Sequence, residues 1–313
     1  MCKVTISAFQ MMQDFPTEES ARAYLELKRW EGKPCCPRCK ADAKQYKQRR
    51  KGVEGYYLCL PCGLVYTVRT GTIFERSHVP LHKWMFAIYL VVTARKGVSS
   101  LQLSKEIGVC QKTAWFMLQR IRKACEGDNE GCDFLYGIVE ADEAYIGGKD
   151  INRHESKKKK TGRGPSGKTA VLGMRERGGN VKAKVLTGSG KSIKEHVKDA
   201  VCVLSTLCTD EYPAYKNMPG YKHRTVNHSA KEYVNGLAHT NGIESVWAVL
   251  KRAFYGVFHN FSAKHMQLYL NEVCYRLNSG NVKIHTLDRI ASLIGMCFGR
   301  RLTFKALIAS QVR

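Results

Sequence analysis

Between residues 17 and 30, Ala21, Tyr24, Leu25 and Leu27 recur at near-helical spacing, with Thr17 placed to cap and Glu18 and Glu19 in the first turn. The pattern predicts a short amphipathic helix, ended by Gly32 and Pro34. From there to about residue 71 the chain turns to short runs rich in Tyr, Val and turn residues, which predict a small β module. Helical periodicity returns at 81–94, 100–107 and 111–125, with a break at Gly108. Two short helices about a tight turn suggest helix-turn-helix. Three packed core helices would give the same periodicity, and Trp115, Leu118 and Ile121 read as core either way. After a polar linker at 126–131, strand-like runs follow at 134–145, 169–175, 181–186 and 201–207, with a helical stretch at 193–200 and helical patterns onward to the C-terminus. This order predicts a mixed sheet covered by helices, and no internal repeat interrupts it.

Charge narrows the partners. Fifty-one Lys and Arg against 27 Asp and Glu give a formal net charge of +24, a field that attracts polyanions, nucleic acid first. The longest apolar run, near 84–93, is too short to span a bilayer and no secretory apolar region follows Met1, so the expectation is a soluble, intracellular chain without a membrane partner. Thirteen cysteines, an odd number, include Cys202, Cys208, Cys274 and Cys297 at ordinary core positions, a usage that suits a reducing compartment.

Four other cysteines are spaced differently. Cys36-Pro-Arg-Cys39 and Cys59-Leu-Pro-Cys62 form two pairs with nineteen residues between them. Two such knuckles on adjacent hairpins supply the four thiolates of a tetrahedral Zn²⁺ site, against the alternatives of free thiols or a redox pair. Cys35 stands beside Cys36 as a spectator or an alternative ligand. On the second helix of the helix-turn-helix candidate, Gln111, Lys112, Thr113 and Arg120 are placed to reach base edges or phosphates. Lys157, Lys158, Lys159 and Lys160 form a basic block ahead of a stretch, 162–169, that fits a phosphate-binding loop letter for letter. Such a loop must follow a buried strand and open a helix. Here a lysine run precedes it and a strand pattern follows, so the block is read as a basic loop for DNA phosphates and the match as coincidence.

The chemistry rests on three acids. Asp142 lies at the end of the apolar run 136–139, where Glu140 and Asp142 share one strand face. Asp210 follows the apolar run 201–207. Glu244 opens an amphipathic helix carrying Ile243, Val246, Trp247, Val249 and Leu250, and Lys251 lies two turns along the same face. Hard divalent cations need oxygen ligands, and in-line attack on a phosphodiester uses two of them. Singly, each acid is more simply a solvated carboxylate or a helix cap; the constellation is what argues for a cation site.

With Asp-Glu-Ala-Tyr-Ile-Gly-Gly-Lys ending at Lys149, Thr-Asp-Glu-Tyr around Asp210, and the run from His239 to Arg252, the chain resembles a bacterial insertion-sequence transposase of the DDE superfamily, in the branch with an N-terminal zinc ribbon. The resemblance covers roughly residues 15–280. It implies an α+β multidomain chain: an N-terminal helix and zinc ribbon at 15–75, a helix-turn-helix at 79–126, a ribonuclease H-like mixed α/β catalytic domain at 132–280 and a C-terminal helical extension at 281–313. It also implies structural Zn²⁺, catalytic Mg²⁺ or Mn²⁺, and double-stranded DNA partners, both terminal inverted repeats and target. A homo-oligomer on DNA and a cytoplasmic, nucleoid-associated place in a bacterium belong to the same expectation. Carried over, the metal-holding acids fall on Asp142, Asp210 and Glu244, with thirty-three residues between the last two. The branch can place Asn at the third position, and Asn241 lies one helical turn before Glu244. Glu244 is favoured because an anionic oxygen binds a hard cation better than an amide does, and Lys251 then matches the family's interval. His239 and His259 are candidate DNA contacts or structural residues. Two rival readings remain at this point, a catalytically silent zinc-ribbon regulator and a ribonuclease H-type nuclease that does not transpose.

Overall fold

A short helix α1 (Ala8–Asp14) precedes α2 (Glu18–Trp30), which forms where the periodicity predicts. Thr17 and Ser20 make a reciprocal capping box, Glu18 and Glu19 sit at the positive end of the helix, and Lys28 and Arg29 at the negative end. The computed structural model describes residues 5–50, 53–130, 134–147, 168–187, 192–226 and 239–309, in two units: Met1–Cys125 with Ser279–Arg313, and Glu126–Asn278. The basic block at Lys157–160 lies outside the described residues.

In the first unit, β1 (Gln45–Arg50), β2 (Val53–Cys59) and β3 (Val65–Thr67) form an antiparallel sheet, and Trp30 of α2 packs edge-on against Tyr57 and Tyr66. Three rings make a small core, so this module depends on a further staple. Helix α3 (Leu81–Thr93) contains the longest apolar run and buries Trp84, Met85, Ile88 and Val91; it is a core helix, and among the described residues no helix is long and apolar enough to cross a membrane. Helices α4 (Ser100–Ile107) and α5 (Gln111–Ala124) are joined by residues 108–110, with Gly108 left-handed at the end of α4. Leu118 and Ile121 are buried as expected.

The second unit begins with α6 (Glu126–Glu130), a short helix where the sequence reads as a linker. Asn129 fixes it there, bonding both the carbonyl and the amide of Ala183 and the side chain of Asn271. The sheet contains β4 (Ile138–Ile146), β5 (Thr169–Glu176), β6 (Val181–Val185), β7 (Thr206–Asp210) and β8 (Lys222–Val226), in the order β6-β5-β4-β7-β8. β4 pairs antiparallel with β5 and β5 with β6, whereas β7 is parallel to β4 and β8 to β7, so the sheet is mixed. The expected strand at 201–207 is displaced: Val203 and Leu204 are exposed and β7 starts only at Thr206. Likewise Phe134 and Tyr136 are exposed ahead of β4. Thr169 opens a strand, as the coincidental reading of the phosphate-loop match requires.

Helix α7 (Ile193–Ala200), capped by Ser192, covers one face of the sheet; Val197 packs with Val139, Ala141, Leu172 and Tyr215. The other face carries α8 (Asn241–Ala253) and α9 (Met266–Leu277), with Ile243, Trp247, Leu250 and Leu270 against Ala144, Ile146 and Val171. β4 therefore sends alternate residues into two cores.

The C-terminal helices α10 (Thr286–Cys297) and α11 (Phe304–Ile308) belong to the first unit rather than forming a separate extension. Buried Arg289 of α10 donates to the Val92 carbonyl at 2.8 Å, and Ile73 donates its amide to Cys297. Of the four cysteines expected in cores, Cys208, Cys274 and Cys297 are buried, while Cys202 is exposed.

Candidate metal centres

The four paired cysteines converge. Cys36 and Cys62 bring their sulfurs to 3.6 Å, Cys39 and Cys59 to 3.5 Å, and all four lie within 4.8 Å of one another. A tetrahedral Zn²⁺ at about 2.3 Å from each thiolate sets the sulfurs roughly 3.8 Å apart, so the donor set fits this ion. Both knuckles are built alike: Lys40 and Gly63, each one residue past a second cysteine, have positive φ and return their amides to the carbonyls of Cys36 and Cys59. Cys35 is the spectator, since its thiol turns to the Lys40 carbonyl at 3.3 Å and stays out of the group.

In the second unit, the parallel ladder pairs Glu140 with Cys208. Carried two residues further, it brings Asp142, in the middle of β4, level with Asp210 at the carboxyl end of β7. Asp142, Asp210 and Glu143 offer carboxylate oxygens within 4.8 Å of one another, a donor set that fits a hard divalent cation. Glu143 is the member that strand alternation conceals, because its side chain starts on the face opposite Asp142. The Tyr215 hydroxyl, fully buried, donates to it.

Glu244 stands in the first turn of α8, exposed, accepting a hydrogen bond from the Thr240 hydroxyl at 3.0 Å. It is outside the three-carboxylate group, yet its charge reaches Asp142. Asn241 begins α8 and Lys251 lies in its last turn, both exposed. The placement of α8 comes from Glu140. No side chain caps this helix locally; instead the buried Glu140 carboxylate accepts the Ile243 amide at 2.9 Å, while Arg177 pairs with it at 2.8 Å. His239 Nδ1 lies 3.2 Å from the same carboxylate, and the His239 carbonyl accepts from Arg177. A Cβ on Gly242 would fall 2.6 Å from Glu140 Oε2, so the absence of a side chain there admits the contact. His259 is exposed just after α8 and its π-helical continuation.

Burial, with the charge of Asp210 beside it, raises the Asp142 carboxyl to about 6, and Glu143 rises to about 7 for the same reasons. Without a divalent cation, the folded state therefore keeps protons that the unfolded chain gives up near pH 4. These two groups contribute most to stability below about pH 4, and that contribution falls as pH rises toward 7. Their removal in the Asp142→Asn, Glu143→Gln double variant is expected to reduce the loss of Tm between pH 5 and 8 in EDTA-free, Mg²⁺-free buffer. Mg²⁺ should raise the parent's Tm more at pH 8 than at pH 5. Equal Mg²⁺ shifts at both values would refute the assignment of these carboxyls to a cation site.

At the other candidate interface, Gln111 and Lys112 are exposed at the start of α5 and Thr113 is half-buried against Cys110. Arg120 corrects the sequence reading: it is 7% exposed and donates to the carbonyls of Ile73 and Leu302, so its guanidinium is used inside the unit and is not presented to DNA.

These features define a class, a zinc-ribbon protein with a separate mixed α/β domain whose sheet gathers carboxylates. Residues 16–65 match the transposase zinc-ribbon domain and residues 134–278 the ISXO2-like transposase domain. An uncharacterized protein in transposable element ISH50 of Halobacterium salinarum is 32% identical over 257 residues, which cover 77% of this chain and 84% of that protein. The chain belongs to this family of zinc-ribbon insertion-element transposases.

Proposed function

We propose that the chain binds the terminal inverted repeats of its element as double-stranded DNA, cuts them in a divalent-metal-dependent reaction and joins the freed ends to target DNA. The observation that carries this is the meeting of Asp142 and Glu143, in the middle of β4, with Asp210 at the carboxyl end of the parallel neighbour β7, and with Glu244 in the first turn of α8. The strand order, three antiparallel strands followed by two parallel ones with helices on both faces, supports a ribonuclease H-like reading of this domain. Helices α4 and α5 about residues 108–110 support the helix-turn-helix reading, with Gln111, Lys112 and Thr113 at the start of the second helix. The net charge of +24 supports phosphate binding, to which Lys157, Lys158, Lys159 and Lys160 add a block. A homo-oligomer on DNA and a cytoplasmic, nucleoid-associated location belong to the same proposal.

In this reading Asp142, Asp210 and Glu143 hold Mg²⁺ or Mn²⁺, and Glu244 completes the anionic rim. Bound there, the cations supply an activated water and neutralise charge developing on the phosphodiester. Asn241 and Lys251, at the two ends of the α8 face that carries Glu244, orient the DNA backbone near the cut. Zn²⁺ at Cys36, Cys39, Cys59 and Cys62 holds the ribbon together and takes no part in the chemistry.

The test is a joining assay with short duplexes carrying the element ends and a supercoiled target. Mg²⁺-dependent nicking followed by covalent transfer to target is the expected result. Nicking without transfer would leave a nuclease, and binding with neither would leave a regulator.

A further inference from the structure

Trp247 lies among the apolar residues of the predicted amphipathic helix, and the residue is 4% exposed. Its one polar atom is not idle. Nε1–H donates to Asp142 Oδ2 at 2.9 Å, across a helix–sheet interface. An indole nitrogen can only donate, so this contact is made to a carboxylate oxygen and takes up one of its acceptor positions. The remaining acceptor sites of Asp142 are left to face Asp210 and Glu143.

The approach is possible because of what lies across the ladder. Asp142 pairs with Gly173 on β5. A Cβ at 173 would stand 2.5 Å from Cη2 and 2.6 Å from Cζ2 of Trp247, and 2.8 Å from Cδ1 of Ile243, closer than side chains approach. The ring therefore lies directly on the backbone of Gly173, with its nitrogen over the neighbouring strand. Trp247 is also three residues beyond Glu244, one helical turn on, so α8 presents the acid and the donor toward β4 together. The anchor of Ile243 on Glu140 fixes the height of that turn along the strand.

We propose that Trp247 is the positioning residue for Asp142: its N–H holds the carboxylate in the orientation that binds the divalent cation, and Gly173 is the gap that admits the ring. The inference rests on the cation site proposed above. Groups that orient a metal ligand through its second oxygen typically contribute ten- to a hundredfold in metal affinity.

The test is Mn²⁺ binding to the full chain, followed by the electron paramagnetic resonance signal of free Mn²⁺, with zinc left in the ribbon. Trp247→Phe and an isosteric replacement at 247 by benzothienylalanine, in which sulfur takes the place of N–H, should each weaken Mn²⁺ binding about tenfold or more. Gly173→Ala, which pushes the ring off the strand, should do the same. Far-ultraviolet circular dichroism and zinc content should stay those of the parent for the benzothienyl protein, whose packing volume is preserved. Parent-like Mn²⁺ affinity in the benzothienyl protein would overturn the proposal and reduce Trp247 to a packing residue. Asp142→Asn separates the two readings: if it binds Mn²⁺ as the parent does, the cation site itself is wrong and the proposal falls with it. If it loses Mn²⁺ while the tryptophan variants do not, only the positioning role fails.

Discussion

Asp142→Asn and Asp210→Asn are each expected to bind inverted-repeat DNA like the parent and to cut it at least about a hundredfold more slowly, the loss that follows removal of one charge-stabilising group from a preorganised site. The two side chains sit level on parallel strands, so neither can be replaced by movement of the other. Each substitution removes an anionic oxygen and leaves a neutral amide of the same shape, so packing is preserved and the first unit, which holds the zinc ribbon and α3 to α5, is untouched. Glu143→Gln makes the sharper comparison. Strand alternation starts the Glu143 side chain on the face of β4 opposite Asp142. Its oxygens nevertheless lie with theirs, and it is expected to lose cleavage to a similar degree. Glu211→Gln, exposed one residue beyond Asp210, is the appropriate control and should cut almost normally. Glu244→Gln and Asn241→Ala then decide the third position: cleavage that survives the first and not the second would transfer the role to Asn241. DNA cleavage by Asp142→Asn at the parent rate would end the catalytic reading.

Removal of zinc is expected to have the second largest effect. One Zn²⁺ per chain should be found by metal analysis, and none in the Cys39→Ser, Cys62→Ser double variant. Structural zinc in small modules contributes about 10–16 kcal/mol of apparent binding free energy, far more than three packed rings can replace. The ribbon should therefore unfold, with loss of the near-ultraviolet signal of Trp30, Tyr57 and Tyr66, while the second unit keeps its fold. DNA affinity should fall with it. Cys35→Ser, by contrast, should keep zinc at one per chain, because that thiol already faces the Lys40 carbonyl. Stoichiometric zinc in the double variant would show that other ligands hold the ion.

How far the sequence reveals this arrangement varies with the physics of each element. Helices α2 and α7 are legible because caps and periodicity agree: Thr17 and Ser192 stand where an N-cap must, and the buried positions follow at helical spacing. The cysteine site is legible because ligand spacing is itself geometry. The strand predicted at 201–207 is displaced because apolar residues there are not buried ones; Leu204 adopts φ of 69° and is exposed, so the run breaks before β7 begins. β8 is missed because an edge strand reading Lys-His-Arg-Thr-Val buries only its last residue and shows no alternation. Arg120 is misread for a different reason. A basic residue on a helix suggests phosphate, and only the fold reveals that the carbonyls of Ile73 and Leu302, distant in sequence, claim it. Glu143 and Trp247 are hidden in the same way, since one carboxylate and one indole acquire their roles only when strands and helix are brought together.

Connectivity makes the second unit an insertion within the first. A ribosome releases Glu126–Asn278 as a complete folding unit before it has made α10, on which Arg289 and Cys297 serve Val92 and Ile73. The carboxylate-bearing domain is therefore able to mature early, whereas the zinc-ribbon unit waits for α10 to close its core. A chain stopped after residue 278 would carry Asp142, Glu143 and Asp210 but lack the α10 contacts to Val92 and Ile73 in the first unit.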